Sequence, residues 1–385
     1  MRVPFTAACG LAWLASVACT APQDPLNAAM PAPSATVVVA PPPSTTPDRC
    51  FGDSPPEAIA RDVRPKDLFA SASVVLWRSG ELIHRMDPAT GRTSTFDASS
   101  LIFIVAADSR DVFGATPVLD LVAIDLSSGQ SRAVSRSSGW TTGSATRNLP
   151  AVVTLFGARY VLDRDYVYVA WHPDPATYSF YSQSDHVRTV KGPHDLGDLA
   201  RVKRDGSSAP EYLGRGPDGR FIVSDGYAYW GSQWEGIKRR ALVPGAANEV
   251  LWAAPDVPYL WPIGVSAGRV YFSRVTSPDS PHTFSIESVP AVPAETDGGA
   301  VRPHVHVASA GLPFGDGLLD GKCVYAGGPA GVTRANLEDG TVQPLIEGRP
   351  VPGDLTGLHS QFLATDGRFL YWADNGGDRV VRWRR

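Results

Sequence analysis

Histidines and aromatic residues gather in one stretch of the chain. His172, Tyr178, Phe180, Tyr181, His186 and His194 all stand within His172–Gly197. Aromatic rings supply contact area to a partner, and imidazoles supply polar contacts whose charge changes near neutral pH. With Trp234 they form the set of candidate ligand-binding residues. Two more imidazoles, His304 and His306, are spaced to share one face of a strand. That spacing could begin a metal site, but no third ligand is identifiable, and an exposed strand pair is the plainer reading. Asp163 and Asp165 read as a turn before they read as paired carboxylates. No His-Glu-x-x-His, phosphate-binding loop or Cys-x-x-Cys is present. No Gly-x-Ser-x-Gly nucleophile elbow is expected either. No residue is assigned a catalytic role and none a metal.

The four cysteines divide by position. Cys9 lies within an apolar, Ala-rich run from Phe5 to Val17, preceded by Arg2. This reads as an export signal, too short to span a bilayer core of about 30 Å. Ser16-Val17-Ala18 before Cys19 resembles a bacterial lipobox, in which the cysteine becomes the lipidated first residue. Ser16 departs from the Leu preferred there, and a signal-peptidase cut after Ala18 or Ala21 would release a secreted protein instead. Residues 1–19 are therefore the expected signal peptide. Residues 20–56, rich in Pro, Ala, Ser and Thr, are the expected tether, because such a composition cannot bury enough apolar area to offset chain entropy. Cys50 and Cys323 remain as an even pair in an oxidising compartment and are expected to form a disulfide.

The rest of the chain must position these residues, and it is repetitive. Gly (37) and Pro (34) are plentiful and charged residues make up only 19%, which fits short strands and turns. From about residue 66 an apolar strand ends in a polar turn and is followed by a strand carrying an aromatic. Asp225-Gly226-Tyr227-Ala228-Tyr229-Trp230 and Asp366-Gly367-Arg368-Phe369-Leu370-Tyr371-Trp372 are clear copies, and Asp320-Gly321 opens a third. Asp-Gly is hairpin chemistry. An arginine strand and a Gly turn come next, as in Arg85 with Gly91, Arg201 with Gly206, Arg239 with Gly245 and Arg334 with Gly340. Arg382 holds the same place near the end, and Ala123 with Gly129 keeps the spacing without the charge. An outer strand completes the unit.

Aromatics at 77, 113, 168, 229, 271, 325 and 371 count seven units, which predicts an all-β protein with one propeller of seven four-stranded blades over 57–385. Six or eight blades remain the alternatives. The last unit lacks an outer strand, and a strand within Glu57–Arg64 is expected to supply it. The recurring Asp and Arg read as turn and strand-surface residues, since a catalytic group would appear once.

These units resemble the YWTD and NHL/TolB-like propeller repeats, with Tyr371-Trp372-Ala373-Asp374 and Arg379-Val380-Val381-Arg382 the closest piece. The resemblance implies the fold and little about function, because propellers host binders and enzymes alike. The expectation is a monomeric, exported, lipid-anchored binding or scaffold module for an envelope protein, a peptide or a glycan. It lies at the periplasmic or cell surface, or is secreted if the anchor is absent. The membrane is contacted through the lipid alone, and no cofactor is needed. The balance of 35 basic to 39 acidic residues argues against nucleic acid as a partner. The alternative is a lyase or lactonase with Ca²⁺ in the central funnel, which needs convergent carboxylates, Asn or His at the inner-strand mouths.

Overall fold

The computed structural model describes residues 50, 52, 54–101, 103–116, 120–136, 141–142, 145–148, 159–171, 197–217, 220–232, 235–255, 257, 260–277, 283–293, 301–310, 316–328, 331–347, 363–374 and 376–384. All fall in the compact unit Pro47–Arg385. Cys19, His172, Tyr178, Phe180, Tyr181, His186, His194 and Trp234 lie outside the described residues, as do the signal peptide and residues 20–49.

Seven four-stranded antiparallel sheets make up the body. Six are consecutive in the chain: blade 1 spans 66–97, blade 2 103–135, blade 3 159–216, blade 4 221–253, blade 5 260–310 and blade 6 316–347. Each runs inner, second, third, outer strand. The seven inner strands neighbour one another in a ring that returns from blade 7 to blade 1. A small hairpin of Thr141–Thr142 and Ala145–Asn148 lies between blades 2 and 3 in the chain. No feature of the repeat announces it.

Blade 7 is closed from the other end of the chain. Its own strands are Leu363–Thr365, Phe369–Asp374 and Arg379–Arg384, and Glu57–Arg61 pairs antiparallel with the last. Glu57 lies opposite Arg382, and their side chains meet at 2.8 Å. The expected closing strand is thus present, and the edge that Arg379–Arg384 would expose is covered. Just before it, Cys50 is disulfide-bonded to Cys323 with Cα atoms 5.9 Å apart. Gly52 runs close over Leu345 of blade 6, where an added Cβ would lie 2.7 Å from a side-chain carbon. Ser54 Oγ donates to the Arg384 carbonyl. The segment entering the ring is therefore fastened to blades 6 and 7 before the closing strand begins.

The turn residues act as the sequence implied. Asp225 and Gly226 both take positive φ (51° and 78°), the geometry of a two-residue hairpin compatible with strand twist. Where the turn is longer, the aspartate caps it. Asp366 Oδ1 accepts the N–H groups of Arg368 and Phe369, and its Oδ2 accepts the Tyr371 hydroxyl at 2.8 Å. Asp163 repeats this with Asp165, Tyr166 and the Tyr168 hydroxyl. Burial first, and the Asp366 carboxylate second, raise the Tyr371 pKa. In blade 2 the tyrosine is replaced by Phe113, and Asp108 instead receives the Arg204 guanidinium of blade 3. Burial raises the Asp108 pKa, but the Asp111 and Arg110 N–H groups and Arg204 outweigh it, so the net shift is downward.

The recurring arginines hold blades together, a larger role than the surface one expected. Arg201, Arg239 and Arg382 lie opposite Tyr168, Tyr229 and Tyr371 in register. Each guanidinium stacks on the aromatic that starts the second strand, at 4.4, 4.3 and 4.7 Å from the ring centroids of Tyr166, Tyr227 and Phe369. Each also meets a glutamate of its outer strand. The first two reach the next blade: Arg201 donates to the Leu242 carbonyl at 2.9 Å and Arg239 to the Ala291 carbonyl at 2.6 Å. Arg85 does the same to Leu126 of blade 2 at 2.9 Å. Arg85 faces Leu76 rather than Trp77, so the first unit carries leucine at the repeated aromatic position and Trp77 one residue later. Apolar clusters fill the spaces between neighbouring blades, for example Tyr229, Ile237, Leu260 and Phe272 between blades 4 and 5.

Candidate functional site

The up-and-down blades sort connections onto two faces. Inner-to-second hairpins and third-to-outer Gly turns share the turn face. Second-to-third connections and blade-to-blade connections share the opposite loop face. Trp171 ends the second strand of blade 3 and Gly197 begins its third, so both ends of segment 172–196 are at the loop face. Ser232 and Glu235, which flank Trp234, are at the same face in blade 4.

The strands that these connections join carry buried charges that the repeat does not contain. In blade 3 Asp198 accepts the Tyr212 hydroxyl at 2.8 Å and faces Arg215 at 3.7 Å. Burial, and then Asp198, push the Tyr212 phenol up to about 12. In blade 4 Glu235 accepts from Ser232 Oγ at 2.6 Å and from Lys238 at 2.8 Å. In blade 5 Glu287 accepts from Ser285 at 2.6 Å, with Arg274 3.6 Å away. In blade 7 Asp374 accepts the Gly377 N–H and pairs with Arg379 at 2.7 Å. Asp198, Lys238, Glu287 and Asp374 are each at most 5% exposed. A charge buried in this way is retained only if paired and hydrogen-bonded. Asp198, Glu235 and Asp374 brace the roots of loop-face connections, while Glu287 sits mid-strand in blade 5, opposite Phe272. Sequence reading missed them; the one available signal, a charged residue ending an otherwise apolar strand, marks Asp374 alone of the four buried charges.

None of the four sets is built as a nucleophile. Ser232 is bonded to a carboxylate but is 1% exposed, which keeps substrate from its hydroxyl. One stretch does have the spacing of a nucleophile elbow, against expectation: Gly264-Val265-Ser266-Ala267-Gly268. An elbow turns from strand to helix. Here Ser266 ends an inner strand and pairs with Arg269, and Ala267 and Gly268 (φ 48° and 70°) turn directly into the second strand. It is a hairpin at the turn face.

The inner strands carry apolar residues, among them Phe69, Val105, Ile222, Ile263 and Leu318, each half-buried against an inter-blade cluster. Asp67, with φ 52°, is a buried carboxylate at a loop-face mouth among the described residues. Among the described residues no group of three His, Cys, Asp or Glu is placed to hold a metal. His304 and His306 do not act as an exposed pair either: His304 is exposed, but His306 turns inward between Ser288 and the Leu337 carbonyl.

The ring, its closure and its two faces define a seven-bladed β-propeller. No family model matches the chain, and no curated protein matches it in sequence. Solved structures share the fold. An oligogalacturonate lyase in complex with manganese is 11% identical with a TM-score of 0.57, covering 86% of this chain and 92% of that one. The oligogalacturonate lyase of Vibrio parahaemolyticus is 8% identical with a TM-score of 0.53, covering 86% and 93%. BamB from Moraxella catarrhalis is 13% identical with a TM-score of 0.45, covering 87% and 100%. At these identities the likeness is one of fold.

Proposed function

We propose that this propeller is an exported, lipid-anchored binding or scaffold module whose loop face recognises a protein, peptide or glycan at the cell envelope. One observation carries the reading: the chain enters the ring at the turn face, and the strands that flank the aromatic- and histidine-bearing segment 172–196 meet it at the other. Cys323 begins a second strand, Ser54 meets the end of a third strand at Arg384, and Glu57 starts the closing strand, all at the turn face. The described entry to the ring, from Cys50 to Glu57, is thus joined to it away from the loop face. The disulfide supports an oxidising compartment, and the leader with Cys19 supplies the anchor.

Metabolic labelling with a palmitate analogue tests the anchor: Cys19→Ser should abolish the label, and unlabelled wild-type protein free in the medium would refute it. Replacing 172–196 by a short Gly-containing connection, with the sequence of Gly231–Gly236, tests the face. The variant should fold, since repeat strands hold the core, and should lose the partner that wild-type protein binds. Retained full affinity would exclude the segment. Cleavage of a polyuronate by purified protein, lost on chelation, would replace this reading with the lyase or lactonase type.

A further inference from the structure

Three seams of the ring share one device, an arginine of the third strand donating to a carbonyl of the next blade. Blade 5 has Ser288 at that position, opposite Tyr271. Its bond to blade 6 comes from His306 on the outer strand. Nδ1 lies 2.9 Å from the carbonyl of Leu337, which sits in its blade where Leu126, Leu242 and Ala291 sit in theirs. Nε2 lies 2.9 Å from Ser288 Oγ, which in turn accepts from Arg269 Nε at 2.8 Å.

These contacts fix the tautomer. A carbonyl only accepts, so Nδ1 carries the proton and Nε2 is the acceptor. The donors run in one direction: Arg269 to Ser288, Ser288 to His306, His306 to Leu337. A second proton on Nε2 would turn a donor toward the Ser288 hydroxyl and displace that hydroxyl's hydrogen. It would also add charge beside Arg269 and beside His304, whose ring centroid is 4.4 Å away. Tyr271 lies against the imidazole at 5.3 Å. The nearby acids are engaged elsewhere. Glu287 is held by Ser285, Glu338 by Lys322, and Asp339 by Thr341 and Asn336; Arg334 is held on Gln343.

We propose that the seam between blades 5 and 6 is an acid-sensitive joint: neutral His306 ties the two blades, and acid favours release of the imidazole from the seam, where a proton on Nε2 escapes the Ser288 hydroxyl and the Arg269 charge, while the arginine seams stay closed. On the far side, blade 6 remains clamped by the Cys50–Cys323 bond, so acid slackens the ring at one chosen seam and not at its closure. Burial holds the His306 pKa below its usual value of 6.5; the Leu337 carbonyl opposes this, and His304 and Arg269 add to it. The folded state thus binds fewer protons than the unfolded one just below that value. Stability present at neutral pH is lost as pH falls from 6.5 through the folded value.

Hydrogen exchange on the full chain at about pH 7.5 and about pH 5, corrected for intrinsic rates, reads this directly. Segments 304–310 and 336–342 should exchange at least about threefold faster in acid, while those around Arg201 and Leu242 hold their protection. His306→Gln should remove the pH dependence. Nitrogen-15 spectra of the wild-type imidazole should show the Nδ1–H form and a titration midpoint below 6.5, and they decide the matter if the variant does not fold. An Nε2–H tautomer, a midpoint at or above 6.5, or equal acceleration at both seams would overturn the proposal.

Discussion

Arg239→Ala removes three interactions of one seam at once. The guanidinium stacks over Tyr227, pairs with Glu249 at 2.6 Å and donates to the Ala291 carbonyl of blade 5 at 2.6 Å. Its side chain is only 10% exposed. The carbonyl bond is buried and its donor is charged, which sets its loss at about 1.5–3 kcal/mol. Glu249 is 40% exposed, so solvent screening limits that pair to about 0.2–1 kcal/mol. The stacking adds about 0.5–1 kcal/mol. Unfolding stability should fall by about 2–5 kcal/mol in a urea titration. Arg85→Ala should cost less, because Val74 rather than an aromatic starts the second strand of blade 1 and leaves no ring for the guanidinium to stack on. Arg239→Lys keeps the charge but not the planar fork, and should recover less than half of the loss. A cost below about 1 kcal/mol for Arg239→Ala would show that the seams are held by apolar packing alone.

Truncation separates tether from closing strand: removing 20–49 should leave thermal stability near wild type, whereas removing 20–66 should lower it sharply by baring the edge of Arg379–Arg384. Equal midpoints for the two would contradict the closure. Tyr371→Phe should cost about 1 kcal/mol by chemical denaturation, and Asp366→Ala more, since it also strands the Arg368 and Phe369 N–H groups. Equal costs would mean that the cap adds nothing beyond the tyrosine bond. Reduction of Cys50–Cys323, or Cys323→Ser, should lower unfolding stability by about 2–5 kcal/mol; an unchanged midpoint would leave the bridge without a stabilising role.

The fold was legible because its signals are local and recur. Asp225-Gly226 needs no distant partner to read as a hairpin, and an arginine opposite an aromatic appears in several units. The missing outer strand of the last unit was itself a signal, since an open edge demands a partner. One position misled: Trp77 drew the first aromatic assignment, although the residue opposite Arg85 is Leu76, because register is set by pairing that side-chain type does not reveal. His306 was unreadable for a related reason. Its meaning comes from a carbonyl in the next blade, and two alternating histidines look alike whether they face water or a seam. The buried charges at Asp198, Lys238, Glu287 and Asp374 occur once each, so no repetition marked them. Cys50 and Cys323 are legible as a pair because Cys9 and Cys19 fall in the leader, although nothing local to either shows the geometry that joins them.

The claim most exposed to test is that the loop face is the interacting one. A photo-crosslinking residue at Arg215, whose side chain is 46% exposed near the loop-face end of an outer strand, samples that face. The same residue at Arg110, 76% exposed in a hairpin of the turn face, samples the other. Irradiation in intact cells should give a discrete adduct from Arg215 and none from Arg110. An adduct from Arg110 alone, or none from either site, would contradict the assignment.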